Sequence, residues 1–527
     1  MNKRMTMTLA CVAMFAGCGG GGDSGSTVVS GADAGSHAGS GPTQSGSTFT
    51  QMSGTQMIWE GAQPGPGPGY IGAERLRVSL DEHGVALASW QNTQTMQIMT
   101  SVTGADGQWS AATSLPGAIE WDSYAQRTNA AGQRVLLAAR RDADSGGYHK
   151  VTFFYTPSIG WSDAVQLKRD PVGDFSKSDF TVADDGSALL AVNGYDLTSG
   201  MTNTEAPAEV YRLRPDGAQA TGITTFRIND QGKPDPLAFT RVQDAVFVMP
   251  RQDSHDFKNQ GYLFWREYGF SGAYSSGAPR RYFSLGAIGA VVSSPALHTS
   301  EARSLHVRNV DNDNAGNCWI EAKASNTRNA TVIWGQGDGT GRCQLMATRI
   351  SEDGGWHTRT DALGSNTIYF QAPKLWMDEA GNALVAWTFF DSSGPHYLWS
   401  QSLAGGAWSQ PADLLTSLGV DSPAEFQIDF HGIEMNAAGE AVAAFSTRDP
   451  KVGGSAYSLA YARFDFLAGW QRGAVIASGR IASAFQAQSS VNRNGKATIV
   501  YSVTPCRPRP DQNSVGCDRE TVYGYTF

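Results

Sequence analysis

Six cysteines are the residues of this chain with the most clearly defined chemistry: Cys11, Cys18, Cys318, Cys343, Cys506 and Cys517. Cys11 and Cys18 lie in the leading segment, which has the make-up of an export signal, as argued below. The other four fall in two local pairs, Cys318 with Cys343 and Cys506 with Cys517. An even cysteine count in an exported chain favours disulfides. Four cysteines allow three pairings, and neighbour pairing within adjacent hairpins is expected here. A metal centre is not expected, because no Cys-x-x-Cys spacing and no nearby pair of histidines occurs.

Other constellations point to less. Asp311-Asn312-Asp313-Asn314-Ala315-Gly316 alternates oxygen donors like the start of a calcium loop. Its fifth position is Ala315, and the twelfth is Ala322 rather than Glu. A calcium shell needs six or more oxygens, so a polar turn is the expected role. Asp253-Ser254-His255-Asp256 sets acids near a histidine, with Arg280-Arg281 downstream. Adjacent residues on an extended chain point to opposite faces, so this is no ready-made acid–base pair. The chain has no nucleophile elbow, phosphate-binding loop, dinucleotide fingerprint or zinc-protease helix. No catalytic residue, metal ligand or cofactor is nominated.

The elements that would position any site come from a repeat. Residues 80–90 (LDEHGVALASW), 377–387 (MDEAGNALVAW), 435–445 (MNAAGEAVAAF) and 491–501 (VNRNGKATIVY) share one template. Residues 128–138 and 182–192 follow it, and 239–249 and 324–334 fit as degenerate copies with Gln243 and Arg328 in place of the glycine. Asx-x-x-Gly is turn chemistry, since Asn or Asp bonds nearby backbone and Gly accepts a positive φ. The apolar run after it suits a strand buried on both faces. The copies recur at roughly 50–60 residues, except for one step of about 85 that implies an insertion between Tyr282 and Cys318. A second signature, with Trp109, Trp161, Trp408 and Trp470, follows Gly84, Gly132, Gly381 and Gly439 at a spacing that leaves room for two short strands. One repeat thus holds four strands, as a propeller blade does. The expected fold is all-β: an eight-bladed β-propeller, or a seven-bladed one if two degenerate copies merge. The last repeat lacks its Trp-bearing fourth strand, and Met57-Ile58-Trp59-Glu60 supplies an orphan copy at the other end. The N-terminal strand is therefore expected to close the last blade, which removes exposed sheet edges. Trp59, Trp109, Trp161, Trp356, Trp408 and Trp470 occupy repeat positions and are expected to pack between blades. Trp265, Trp319 and Trp399 lie off those positions.

The leading segment begins with Lys3 and Arg4, continues through a short apolar run, and ends Phe15-Ala16-Gly17-Cys18. The run is too short to span a bilayer and has the proportions of a secretory signal. The end resembles the bacterial lipoprotein lipobox, with Phe15 where Leu is usual. That resemblance implies removal of residues 1–17 and lipidation of Cys18, and Gly19 at the next position implies an outer-membrane destination. More than one acyl chain gives durable anchoring. Residues 18–48 read as the lipidated cysteine and a Gly/Ser-rich flexible tether, and residues 49–527 as one propeller domain. Ser351-Glu352-Asp353-Gly354-Gly355-Trp356 resembles a shortened Asp-box of sialidase-like propellers, where the box is structural. Phe226-Arg227-Ile228-Asn229 resembles the Phe/Tyr-Arg-Ile-Pro segment of sialidases, but Asn229 replaces Pro and no companion arginine triad or Tyr/Glu pair can be assembled.

The formal net charge is −9, with no basic run, which disfavours nucleic acid as a partner. The expected function is a non-catalytic binding or scaffold protein at the cell envelope, meeting the membrane through its lipid and an envelope protein or glycan through its loops. The insertion around residues 283–317 is the expected binding loop. The alternatives are a glycan-processing hydrolase or lyase with a site at the central mouth, and an outer-membrane assembly factor resembling the eight-bladed lipoprotein of the β-barrel assembly machinery. Convergence of Arg, Asp, Glu and Tyr at the mouth would favour the enzyme.

Overall fold

The structure is a computed structural model. It describes residues 49–61, 73–104, 106–117, 119–141, 148–166, 179–183, 185–192, 209–217, 219–224, 239–248, 260–271, 280–291, 298–299, 303–309, 320–324, 330–337, 343–350, 359–363, 370–391, 394–419, 427–448, 456–481, 485–508, 515–517 and 519–527. The chain divides into two units, Met1–Ser45 and Gly46–Phe527. Every described element belongs to the second unit. All are β-strands except one helical turn, Leu414–Ser417, capped by the Asp413 side chain.

Among the described residues the strands form eight antiparallel meanders of four or five strands and one two-stranded hairpin. Sheet 1 runs Ala73–Leu80, Ala86–Asn92, Ile98–Val102, Thr113–Ser114. Sheet 2 runs Ile119–Thr128, Arg134–Arg141, Tyr148–Thr156, Gly160–Trp161. Sheet 3 runs Asp179–Val182, Ala188–Val192, Glu209–Leu213, Gln219–Thr224. Sheet 4 holds Phe239–Val248, Gln260–Ser271 and Arg280–Val291, with His298–Thr299 and Arg303–Asn309 on its outer edge. Sheet 5 holds Ile320–Ala324, Ala330–Gly337, Cys343–Ile350 and Arg359–Ala362. Sheet 6 holds Phe370–Met377, Ala383–Asp391, Gly394–Ser402 and Ala412–Asp413. Sheet 7 holds Gln427–Met435, Ala441–Arg448, Ala456–Asp465 and Gly469–Arg480, extended by Thr50–Gln51. Sheet 8 holds Gln486–Val491, Ala497–Val503 and Thr521–Thr526. Its fourth strand is Gln56–Glu60, which pairs antiparallel with Thr521–Thr526.

Successive sheets are neighbours. The first strand of each sheet lies beside the first strand of the next, and that of sheet 8 lies beside that of sheet 1. The hydrophobic core is built between sheets rather than within them. Leu76, Trp90 and Met99 of sheet 1 pack with Ile58, Val500 and Val522 of sheet 8. Similar cores join sheets 1 and 2, 2 and 3, 5 and 6, 6 and 7, and 7 and 8. The apolar runs after the turn glycines are second strands, and in Ala497–Val503 every residue is buried. A strand covered on both faces has no reason to alternate, which is why these runs read as continuous.

The repeat turns are latches between sheets. In sheets 1, 2, 6, 7 and 8 the Asx oxygen accepts the backbone N–H four residues on: Asp81 from Val85 (2.8 Å), Asn129 from Gln133 (3.0 Å), Asp378 from Asn382 (2.7 Å), Asn436 from Glu440 (2.8 Å) and Asn492 from Lys496 (3.0 Å). The Asn amides then donate to the next turn: Asn129 to the Ala183 carbonyl (2.9 Å), Asn436 to Asn492 (2.8 Å) and Asn492 to Asp81 (3.2 Å). Gly132 is required twice over. Its φ is 75°, and a Cβ there would sit 2.5 Å from the Asp81 carboxylate of sheet 1.

Two expectations need correction. Gln243 does not occupy a turn: it lies inside the first strand of sheet 4, where the register shifts between Gln243 and Val246. Residues 239–249 carry the apolar spacing of the repeat but none of its turn chemistry, and the strand Phe239–Val248 runs through Gln243 without a turn. Nor are residues 283–317 simply a long loop. Arg280–Val291 pairs with Gln260–Ser271 along its whole length, and Arg303–Asn309 pairs outside it. Much of the extra length has gone into longer strands, because YLFWREYGF and RRYFSLGAIG are rich in the aromatic and aliphatic residues that pack on a pleated surface.

The repeat tryptophans pack as expected where they are described. Trp109 and Trp59 join the core between sheets 8 and 1, Trp161 that between 1 and 2, Trp408 that between 5 and 6, and Trp470 that between 6 and 7. Trp399 is half-buried and its indole N–H donates to Ser417 Oγ at 3.0 Å. Trp356 and Trp319 lie outside the described residues, as does the side chain of Trp265.

Candidate binding mouth at the leading ends of the first strands

Antiparallel meanders send their connections to two ends. The turns between first and second strands and between third and fourth strands share one end. They are tight there, as at Gly84 and at Gly406, whose N–H reaches the Leu403 carbonyl at 2.8 Å. The connections between second and third strands and between sheets leave from the opposite end. All first strands begin at that end. Long connections concentrate where a fold places function.

The first strands are irregular there. Register shifts occur between Glu74 and Arg77 in sheet 1, Ile119 and Tyr124 in sheet 2, Gln371 and Lys374 in sheet 6, and Phe430 and Gly432 in sheet 7. Bulges re-aim side chains and accompany functional sites. Within the sheet 1 bulge Arg75 has φ 60°, a conformation uncommon for a side chain with a Cβ. A relay of hydrogen bonds then crosses four sheets. Gln488 Nε2 of sheet 8 donates to the His431 carbonyl of sheet 7 at 2.9 Å. Gln486 Oε1 of sheet 8 accepts from the Arg75 N–H of sheet 1 at 3.3 Å. Tyr124 Oη of sheet 2 donates to the Arg75 carbonyl. The Arg77 guanidinium lies over the Tyr124 ring, 5.6 Å from its centroid.

The titratable members are held away from neutrality. Burial pushes the Tyr124 phenol up to about 12, against the nearby Arg77 charge, which lowers it. Burial pushes the His431 imidazole down to about 4, while its Nε2 and Ser446 Oγ share a hydrogen bond of 2.8 Å. At neutral pH the phenol keeps its proton and the imidazole is uncharged. Both already bond within the protein, Tyr124 to the Arg75 carbonyl and His431 Nε2 with Ser446 Oγ. Neither suits proton transfer near pH 7, where a catalytic group works best with a pKa close to the operating pH. The backbone also places Glu74, Glu120, Asp122 and Asp429 in the leading parts of these strands.

None of the residues singled out from sequence falls in this relay. Cys18, Cys318, Arg227, Asp253, His255, Asp311 and the 351–356 box lie outside the described residues. Cys343 opens the third strand of sheet 5 opposite Gly337. Cys506 and Cys517 are direct cross-strand partners in the two-stranded hairpin. Arg280 and Arg281 are strand residues opposite Ser271 and Phe270. Arg75, Tyr124, His431, Gln486 and Gln488 were missed because they precede the repeat turn, in strands where bulges break the alternation. The available signal was the polar content of AERLRVSL (73–80) and QIDFHGIEM (427–435) beside the apolar second strands. Among the described residues no three His, Cys, Asp or Glu side chains could together hold a metal ion, and no helix is long and apolar enough to cross a membrane.

No protein-family model and no curated protein matches the chain. Among solved structures it is similar to a polysaccharide lyase, an ulvan lyase, with 8% identity over 87% of this chain and 95% of that one, at a TM-score of 0.41. A prolyl endopeptidase gives 12% identity over 83% of this chain and 54% of that one, at 0.44. An α-L-arabinofuranosidase from Fusarium graminearum gives 9% identity over 68% of this chain and 99% of that one, at 0.33.

Proposed function

We propose that residues 49–527 form an eight-bladed β-propeller, closed by Gln56–Glu60 as the last strand of the last blade, that serves as a non-catalytic binding ring at the cell envelope. The neighbour sequence of the eight first strands, running from sheet 8 back to sheet 1, supports the blade count. The Asn492 bond to Asp81 spans the same junction. In this reading the lipid on Cys18 and the 18–48 tether hold the ring at the outer membrane. The ligand is a glycan taken at the mouth. The observation that carries this is the relay His431–Gln488, Gln486–Arg75–Tyr124, which brings glutamine amides of sheet 8, the Arg77 guanidinium of sheet 1 and the Tyr124 phenol of sheet 2 together with the His431 carbonyl of sheet 7. Such groups match polyhydroxyl ligands, and polar donors and acceptors fix a ligand's orientation in a cleft.

One observation favours a second reading. The carboxylate-bearing residues Glu74, Glu120, Asp122 and Asp429 share the leading ends with Arg75 and Tyr124, the mixture a glycan hydrolase or lyase would use. Glycan-array binding and turnover by residues 49–527 separate the two. Binding without turnover, weakened by Tyr124→Phe and Gln488→Ala, is expected. Turnover of any bound glycan would replace the binding reading with the enzymatic one, and an empty array would remove the glycan. Cys18→Ser is expected to abolish incorporation of labelled fatty acid, and retained label would rule Cys18 out as the acylation site.

A further inference from the structure

Among the described residues, the connection between the second and third strands of sheet 8 is the one that carries strands of its own. Residues 504–520 link Ala497–Val503 to Thr521–Thr526, whereas residues 93–97 and 392–393 suffice in sheets 1 and 6. The longer connection builds a ladder of its own, Cys506–Pro508 against Val515–Cys517. Three paired residues on two strands do not stand alone in water. The base of the arm is tied at two places. Pro505 bridges to Ile481, the buried residue that leaves sheet 7. Glu520 accepts the Gly61 N–H at 2.8 Å, and Arg519 Nη1 lies 3.1 Å from Glu60 Oε2. Glu60 and Gly61 end the strand that completes sheet 8, so the arm and the closing strand share a junction.

Cys506 and Cys517 are the pair of that ladder nearest the base of the arm, directly opposite one another. Opposed residues in an antiparallel pair have Cα atoms about 4.5–5.5 Å apart. A disulfide needs roughly 4.4–6.8 Å. The geometry points to a Cys506–Cys517 disulfide that locks the arm at the mouth end and, through Glu520 and Arg519, braces the closing strand. The bond forms by thiol–disulfide exchange with an external protein disulfide. One thiolate attacks, a mixed disulfide forms, and the second thiolate releases the oxidant as a dithiol, so two protons and two electrons leave the pair. The lock acts by restricting the open state of the arm, and it makes ring closure sensitive to reduction. This holds whether or not the mouth binds a glycan.

The test uses the full chain, extracted from membranes without reductant after blocking free thiols. Digestion before Asp511 is expected to leave two pieces joined through Cys506 and Cys517 and separated by reduction. Alkylation of both cysteines, or linkage of either to Cys318 or Cys343, would overturn the assignment. Deuterium exchange then tests the brace. Reduction is expected to speed exchange of Gln56–Glu60 and Thr521–Thr526 by about tenfold or more, as a locally opened unit would. A Cys506→Ser/Cys517→Ser chain is expected to show the fast rate with or without reductant. A linked pair whose reduction leaves both strands unchanged would overturn the coupling, and so would a double variant that exchanges like the oxidised protein.

Discussion

Replacing Asn492 with alanine tests whether the repeat turns hold neighbouring sheets together or merely shape their own hairpins. The side chain is buried, with 3% exposure. Its oxygen accepts from the Asn494 and Lys496 N–H groups at 3.1 and 3.0 Å, and its amide donates to the Asp81 carbonyl of sheet 1 at 3.2 Å. Three hydrogen bonds vanish at about 1 kcal/mol each, and the Lys496 N–H is left without that acceptor, so the expected loss is about 3 kcal/mol. Asn92 is the comparison. Its oxygen accepts from Gln94 and Thr95 at 2.9 and 3.3 Å in an exposed turn within sheet 1, so Asn92→Ala should cost about 1 kcal/mol. For a cooperative unit of about 480 residues, 1 kcal/mol moves the melting temperature by only about 1 °C. Urea midpoints at constant slope are the better assay. Asn492→Asp keeps both acceptor bonds and loses the one that crosses to sheet 1, so it isolates the junction at about 1–2 kcal/mol. If Asn492→Ala costs no more than Asn92→Ala, or Asn492→Asp costs nothing, the turn stabilises only itself and the latch argument fails.

Two further outcomes follow from buried charge. Burial lowers the His431 pKa to about 4 from an unfolded value near 6.5. The unfolded chain therefore binds more protons between those values. This contribution is fully present above about pH 6.5 and is lost as pH drops toward 4, by roughly 3 kcal/mol. His431→Gln should flatten that part of the stability–pH curve, and an unchanged slope would exclude His431 as its source. Arg134 is fully buried, with Nη2 3.5 Å from Asp81 Oδ2 and 2.8 Å from the Val85 carbonyl, so it bridges sheets 1 and 2. Asp81→Asn or Arg134→Met alone should cost about 3–5 kcal/mol by removing one partner of a buried ion pair. The double variant should cost less than the sum, and additive losses in urea denaturation would show that the two do not act as a pair.

The strand-level fold was legible because the turns must satisfy several conditions at once. Gly132 needs a positive φ and room for the Asp81 carboxylate, and Asn129 must bond both its own turn and Ala183. Few residue types meet such conditions, so the sequence repeats wherever they apply. The closing strand was legible for a related reason: Trp59 reproduces a repeat position, and the orphan segment that carries it fits the one sheet that lacks a fourth strand. Sheet 4 was misjudged because its first hairpin has no Asx-x-x-Gly mark. Apolar spacing alone does not locate a turn inside a long strand.

The mouth was illegible for the opposite reason. Arg75, Tyr124 and His431 sit at or beside bulges, and a bulge shifts alternation by a residue without a fixed sequence signature. Their partners, Gln486 and Gln488, are ordinary polar residues until the neighbouring strand is in place. The two ends of each first strand thus answer to different demands. At the turn end Asn129, Asn436 and Asn492 each bond the next turn, which enforces repetition. At the other end the described first strands share no such turn-to-turn bond, so each sheet is free to differ. In a repeat protein of this kind, the segments where the repeat lapses beside regular strands are where a binding site should be sought. For this chain those are the bulged first strands of sheets 1, 2, 6 and 7, and the cysteine-bearing arm of sheet 8.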